Sequence, residues 1–262
     1  MEIPVMDTKT EPTITAAVLL IGDEILSGRT KDLNLAYIAQ FLAARGIDVR
    51  EARVVPDVEA EIVAALNALR ARYTYVFTTG GIGPTHDDIT ADAVARAFGV
   101  PISHHPEAVR LLQEHFREIG REANEARMRM ARLPEGAEMI PNPVSRAPGF
   151  HIGNVFVLAG VPKIMQAMLD ELAPKLEQGR LLHSRTVLAE VAEGDLATGL
   201  GTIQAAYPAV AIGSYPFERD GQYGANIVLR SRDVAQLDAA ETAVRKLVED
   251  LQARVPEPKA WT

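Results

Sequence analysis

The chain has 262 residues, enough for one large domain or for a medium domain followed by a small one. Apolar residues make up 47% and charged residues 24%, ordinary for a globular protein, and a net charge of −8 argues against a general nucleic-acid surface. Cysteine is absent, which excludes disulfides, thiolate catalysis and cysteine-based zinc sites here.

Residues 1–13 read as a disordered tail: they are polar and acidic, with no basic segment followed by an apolar run that would suggest a signal peptide. The longest apolar run, residues 16–21, is far too short to cross a bilayer, so a cytoplasmic protein without membrane contact is expected. Residues 14–21 predict a first strand, nearly all apolar, as in a parallel sheet covered on both faces. Gly22, Asp23 and Glu24 follow as its exit loop. Asp32 is placed to cap a helix whose Leu35, Ile38 and Leu42 stripe ends at Gly46. Residues 47–55 predict a second strand, and Pro56-Asp57 a second helix carrying Val58, Ile62, Leu66 and Leu69. Residues 73–79 predict a third strand and 90–98 a helix with Ala93, Val94, Ala97 and Phe98 on one face.

This βαβαβ rhythm predicts an α/β fold, a doubly wound, mainly parallel sheet with right-handed crossovers. Helices are expected at 106–119 and 122–131, a loop at 134–149, a strand at 155–158 and a closing helix at 163–176. The first domain then spans 14–176, with 177–180 as linker. Beyond it come a strand (183–191), a helix (195–207), two strands (210–215 and 223–230) joined by a loop at 216–221, and a long helix (233–253). That βαββα order predicts a small α+β domain over residues 181–254.

The most informative segment joins the third strand to its helix: Thr79-Gly80-Gly81-Ile82-Gly83-Pro84-Thr85-His86-Asp87-Asp88. Three glycines there let backbone N–H groups approach an anion closely, and the helix start adds its positive dipole end. Asp87 and Asp88 stand where bound phosphate would lie, and a divalent cation resolves the repulsion between carboxylate and phosphate. Either Asp is also placed to cap the helix. Asp23 and Glu24 fall at another strand carboxyl end, on the same sheet edge, where such folds bind ligands. His86 is read either as a proton acceptor or cation ligand, or as an exposed loop histidine. Arg146 is read either as a phosphate partner or as a solvated loop residue.

The glycine loop, Ile21-Gly-Asp-Glu-Ile-Leu-Ser-Gly28 and Gly160-Val-Pro162 resemble the molybdopterin-binding (MoaB/MogA-like) fold. Within it the likeness is to the N-terminal part of the competence/damage-inducible protein CinA, and it extends over roughly residues 14–176 through Asn124 and Ala147-Pro-Gly-Phe150. With His183-Ser184 and Ile212-Gly-Ser-Tyr-Pro216 later, the sequence also resembles the molybdopterin-binding half of eukaryotic FAD synthase. The resemblance implies a small nucleotide or pterin ligand, molybdopterin or an adenine dinucleotide. It also implies metal-dependent hydrolysis (Mg²⁺, Mn²⁺ or Co²⁺) of the pyrophosphate bond of ADP-ribose or FAD, and a homo-oligomer. The alternative is a non-catalytic binder of the same ligands. Under this reading Asp87 and Asp88 are catalytic, with Asp87, Asp23 and Glu24 on the metal. Thr79, Gly80, Gly81, Gly83, Thr85, Asn34 and Gly160 hold the ligand. The chain departs from the family pattern at Leu33, where Thr is usual, and at Ile164, where Glu is usual. The amidase of CinA and the adenylyltransferase of FAD synthase are not expected of these residues.

Overall fold

A computed structural model describes residues 13–219 and 222–253. All but Thr13 of the expected tail, and the tip of the 216–221 connection, lie outside the described residues. The chain divides into two units, one running to Gly179 and the other starting at Arg180.

The first unit begins β1 (Thr15–Ile21), α1 (Asp23–Leu26), α2 (Asn34–Ala43), β2 (Asp48–Val55), α3 (Glu59–Arg70), β3 (Tyr75–Thr79) and α4 (Thr90–Phe98). It continues with β4 (Ile102–His104), α5 (Pro106–Glu118), α6 (Glu125–Met128), β5 (Arg132–Pro134), β6 (Glu138–Ile140), β7 (Gly149–Ile152), β8 (Val155–Leu158) and α7 (Pro162–Leu172). The main sheet runs β2-β1-β3-β8-β7-β6. Its first four strands are parallel, and β7 and β6 extend it antiparallel.

Alternate side chains of β1 feed two separate cores, which is why the strand is apolar throughout. Ala17, Leu19 and Ile21 pack with Ile62 and Leu66 of α3 and with Ala93 and Val94 of α4. Ala16, Val18 and Leu20 pack with Ile38 and Leu42 of α2 and with Met165 and Leu169 of α7. From β1 the chain moves to β2 on one side, then back across to β3 on the other. Connections leaving β1 and β3 therefore diverge, and a crevice opens at their carboxyl ends.

Several local expectations are corrected. Residues 23–26 form a short helix rather than a loop, because Asp57 Oδ2 accepts the Asp23 N–H at 3.0 Å and satisfies one of its free amides. The helix expected at 122–131 shrinks to α6 and a 3-10 turn, Arg129–Ala131, because Asn124 caps at the Arg127 N–H. The expected loop 134–149 contains β6, which pairs with β7. Strands β4 and β5 form a small separate ribbon. The closing helix stops at Leu172 and passes into a 3-10 turn containing Pro174.

In the second unit, β9 (His183–Ala189), α8 (Glu193–Ala206), β10 (Ala211–Arg219), β11 (Gln222–Ser231) and α9 (Val234–Gln252) follow the expected βαββα order. The strands form an antiparallel sheet, β10-β11-β9. One face packs Val187, Ile227 and Leu229 against Leu196 of α8 and against Leu237 and Val244 of α9. The connection expected at 216–221 is mostly strand, since β10 pairs with β11 as far as Arg219↔Gln222.

A titrating group is built into the first unit's sheet. His151 of β7 stands opposite Phe156 of β8, which stands opposite Phe77 of β3. The rings stack at centroid distances of 5.2 Å and 5.1 Å. His151 Nδ1 is buried without a partner. Burial pushes the imidazole below its usual pKa, against the pull of Glu138, whose Oε2 lies 3.8 Å from Nε2. The folded protein thus binds this proton less readily than the unfolded chain. The associated stability is present above about pH 6.5 and is lost as pH falls toward the folded value. His151→Phe keeps the stack and is expected to lower the melting temperature less than wild type does between about pH 7.5 and pH 5.5. Equal acid-induced drops would remove His151 from this role.

Candidate functional site

The crevice at the ends of β1 and β3 has a volume of about 90 Å³ and is lined by Glu24, Lys31, Asn34, Thr79, Gly80 and Gly160, among others. Asn34 is 6% exposed. Its position is fixed by Asp32, whose two carboxylate oxygens accept the Asn34 and Leu35 N–H groups at 3.1 and 3.0 Å, the expected cap. Asn34 Nδ2 donates to the Gly160 carbonyl at 2.8 Å, which leaves Oδ1 buried without a partner. A buried acceptor in a crevice wall calls for a donor from a ligand or a water.

Gly80 and Gly81 have φ of +102° and +66°, a region that favours glycine. Thr90, wholly buried at the start of α4, clamps both: its Oγ1 donates to the Gly80 carbonyl at 3.0 Å and its N–H to the Gly81 carbonyl at 3.0 Å. The N–H groups of Gly81, Ile82 and Gly83 donate to no protein acceptor among the described residues. Three successive free amides at a strand-to-helix turn are donors available to an anion.

The predicted acids separate into two groups. Asp88 Oδ2 accepts from the N–H and the hydroxyl of Thr85, which folds the 85–88 turn onto itself. Asp88 lines a smaller depression of about 20 Å³ beside Gly81 and Gly83, over the α4 layer. Asp87 is exposed, and polar groups of the 85–88 turn, the Thr85 side chain first and the Asp87 backbone next, hold its carboxyl below the usual range. His86 is almost wholly exposed, with Nδ1 3.9 Å from Asp87 Oδ1. Arg146 contacts Glu118 at 3.7 Å.

Asp57, just past the end of β2, joins this edge although its sequence context suggested only the start of a helix. Its carboxyl is pushed above the usual range, first by burial and then by the charges of Glu24, Asp23 and Asp87. The Asp23 N–H opposes that rise. Four carboxylates thus share one field at the strand ends. As placed, no three carboxylate or histidine groups among the described residues stand close enough to hold a metal ion. Thr90 and Asp57 were both missed because each also satisfies a plain reading as a helix start; for Asp57, its position just past the end of β2 was the available signal.

Residues 17–178 match the family described as probable molybdopterin binding domain. The chain belongs to that family. Residues 181–255 match the FAD synthase middle domain. A CinA-like protein of Geobacter metallireducens is 43% identical over 175 residues, which is 65% of this chain and 42% of that protein. The chain thus spans under half the length of this CinA-like relative. A protein of Pyrobaculum calidifontis is 34% identical over 92% of this chain and 97% of its own length. The crystal structure of CinA from Thermoplasma acidophilum, described as of unknown function, superposes with a TM-score of 0.57. It is 34% identical and covers 62% of this chain and 96% of that one. The protein is therefore a CinA-like, molybdopterin-binding-domain protein. No described helix is long and apolar enough to cross a membrane.

Proposed function

We propose that the protein hydrolyses the pyrophosphate bond of an adenine dinucleotide, ADP-ribose or FAD. The observation that carries this reading is the pairing, on one sheet edge, of a free-amide glycine turn with a carboxylate whose proton affinity is raised. The amides of Gly81, Ile82 and Gly83 receive phosphoryl oxygens, and Asn34 Oδ1 accepts an N–H or O–H from the remainder of the ligand. Asp57 is a stronger base than an ordinary carboxylate and takes a proton from the attacking water. The water oxygen bonds to phosphorus as the bridging P–O bond breaks, giving AMP with ribose 5-phosphate, or AMP with FMN. Asp88 and Thr85 hold the shape of the turn. Asp23, Glu24 and Asp87 would have to draw together to hold an ion, and their all-oxygen donors would suit Mg²⁺, Mn²⁺ or Co²⁺. Such an ion would neutralise phosphate charge and acidify a bound water.

One observation favours a second reading, a binder of molybdopterin or a nucleotide without turnover. The carboxylates do not converge as placed, and Ile164 and Leu33 replace polar residues usual in the family. Chromatography of ADP-ribose and FAD incubated with protein and each ion, with EDTA controls, separates the two. Ion-dependent AMP release is the expected result. Ligand binding that survives EDTA with no AMP formed would establish the binder instead.

A further inference from the structure

Arg129 lies in the 3-10 turn Arg129–Ala131 and reaches the underside of the glycine turn. Its Nη2 donates to the Asp88 carbonyl at a long 3.4 Å, while its Nε is buried with no hydrogen-bond partner. A buried guanidinium N–H left unpaired is costly unless something outside the protein fills the place. Its neighbour Arg132 is different, because its guanidinium is paired with the Asp92 carboxylate. Arg129 has no carboxylate partner among the described residues.

The depression that Arg129 lines also contains Gly81, Ile82, Gly83 and Asp88, with Arg132 and Asp92 at its wall. Its volume of about 20 Å³ admits one water-sized atom. A whole ligand does not fit, but a single oxygen of a larger group does. The lining brings together the three turn residues whose amides are free and Arg129, whose Nε–H is unpaired. Two carboxylates also line it: Asp92 is neutralised by Arg132, and one oxygen of Asp88 is already occupied by two hydrogen bonds from Thr85.

We propose that this depression receives one phosphoryl oxygen, held jointly by Arg129 and the Gly81–Gly83 amides, so that the turn grips its anion from the α4 side as well as from the crevice. The site rests on the reading that the turn binds phosphate, but not on hydrolysis. An arginine suits the position because its guanidinium stays charged and directs several N–H groups at an oxyanion at once.

The test is a titration of the EDTA-treated full chain with inorganic phosphate, following the backbone amide resonances of Gly81 and Gly83. Both are expected to shift. In Arg129→Gln the affinity is expected to fall roughly tenfold, the loss of one charge-assisted contact. Should that variant not fold, Arg129→Lys keeps a charge without the Nε–H, and a several-fold weaker affinity is expected there. Unchanged affinity in a folded variant overturns the proposal, as does a wild-type response confined to Asn34 and Gly80. Phosphate binding that depends on Arg129, in a protein that cleaves no dinucleotide, would refute the hydrolase and leave this site standing. Cleavage with Arg129-independent phosphate binding would do the reverse.

Discussion

Gly80→Ala is expected to cost roughly 3–4 kcal/mol of stability and to abolish ligand binding. The residue sits at φ +102°, and a Cβ there would lie 2.1 Å from the Ile21 carbonyl oxygen at the end of β1. Its own N–H donates to the Leu158 carbonyl of β8 at 3.3 Å, and its carbonyl receives the Thr90 hydroxyl. A Cβ at Gly160 would stand 3.2 Å from its Cα. The ends of β1, β3 and β8 therefore meet at one atom-tight point, and none of the neighbours is the free end of a flexible side chain. Gly28→Ala is the matched control. Gly28 has φ +71° with nothing within 4 Å of an added Cβ, so only the backbone term of about 1 kcal/mol applies. Urea denaturation of the two variants compares them, and losses of equal size would mean that the strand ends yield more readily than their packing implies.

Asp57→Asn is expected to lower turnover at least about 100-fold while raising the melting temperature at neutral pH by a few degrees. Both effects have one origin. Asp57's folded pKa lies above its ordinary value, because of burial and then the neighbouring carboxylates. The folded state thus holds this proton more firmly than the unfolded chain does. That contribution is fully present below about pH 3.8 and is lost as pH rises through the folded value. At neutral pH the ionised group is a net cost to folding. Asparagine carries no charge, yet its carbonyl oxygen still accepts the Asp23 N–H. The stabilisation should accordingly disappear in acid, which calorimetry over a pH series would reveal. Asp87 has the opposite sign, being held below its usual range by Thr85, so Asp87→Asn should bring no such gain. A less stable Asp57→Asn protein with full activity would contradict both the electrostatics and the catalytic assignment.

Much of the fold was readable because single residues carried one unambiguous signal. The apolar run of β1 has one use in an α/β fold, a strand covered on both faces. The turn glycines announced backbone conformations that other residues avoid, and two of them have the positive φ this requires. The βαββα order followed from long, clearly periodic segments. What stayed hidden was short or doubly interpretable. Strands β4, β5 and β6 span three residues each, too few for alternation to appear. Asp57 and Thr90 sit where a helix is about to begin, so helix-start signals masked their contacts with Asp23 and Gly80. Arg129 gave no sign at all, since its unpaired nitrogen is a property of packing between segments 41 residues apart in sequence.

The most direct measurement is a crystal structure of the protein with ADP-ribose and Ca²⁺. The diphosphate should rest on the amides of Gly81 to Gly83, with Asn34 Oδ1 accepting from the ligand, the cation among Asp23, Glu24 and Asp87, and Asp57 beside the attacking water. A diphosphate bound away from the ends of β1 and β3, with the turn amides left to water, would contradict the account.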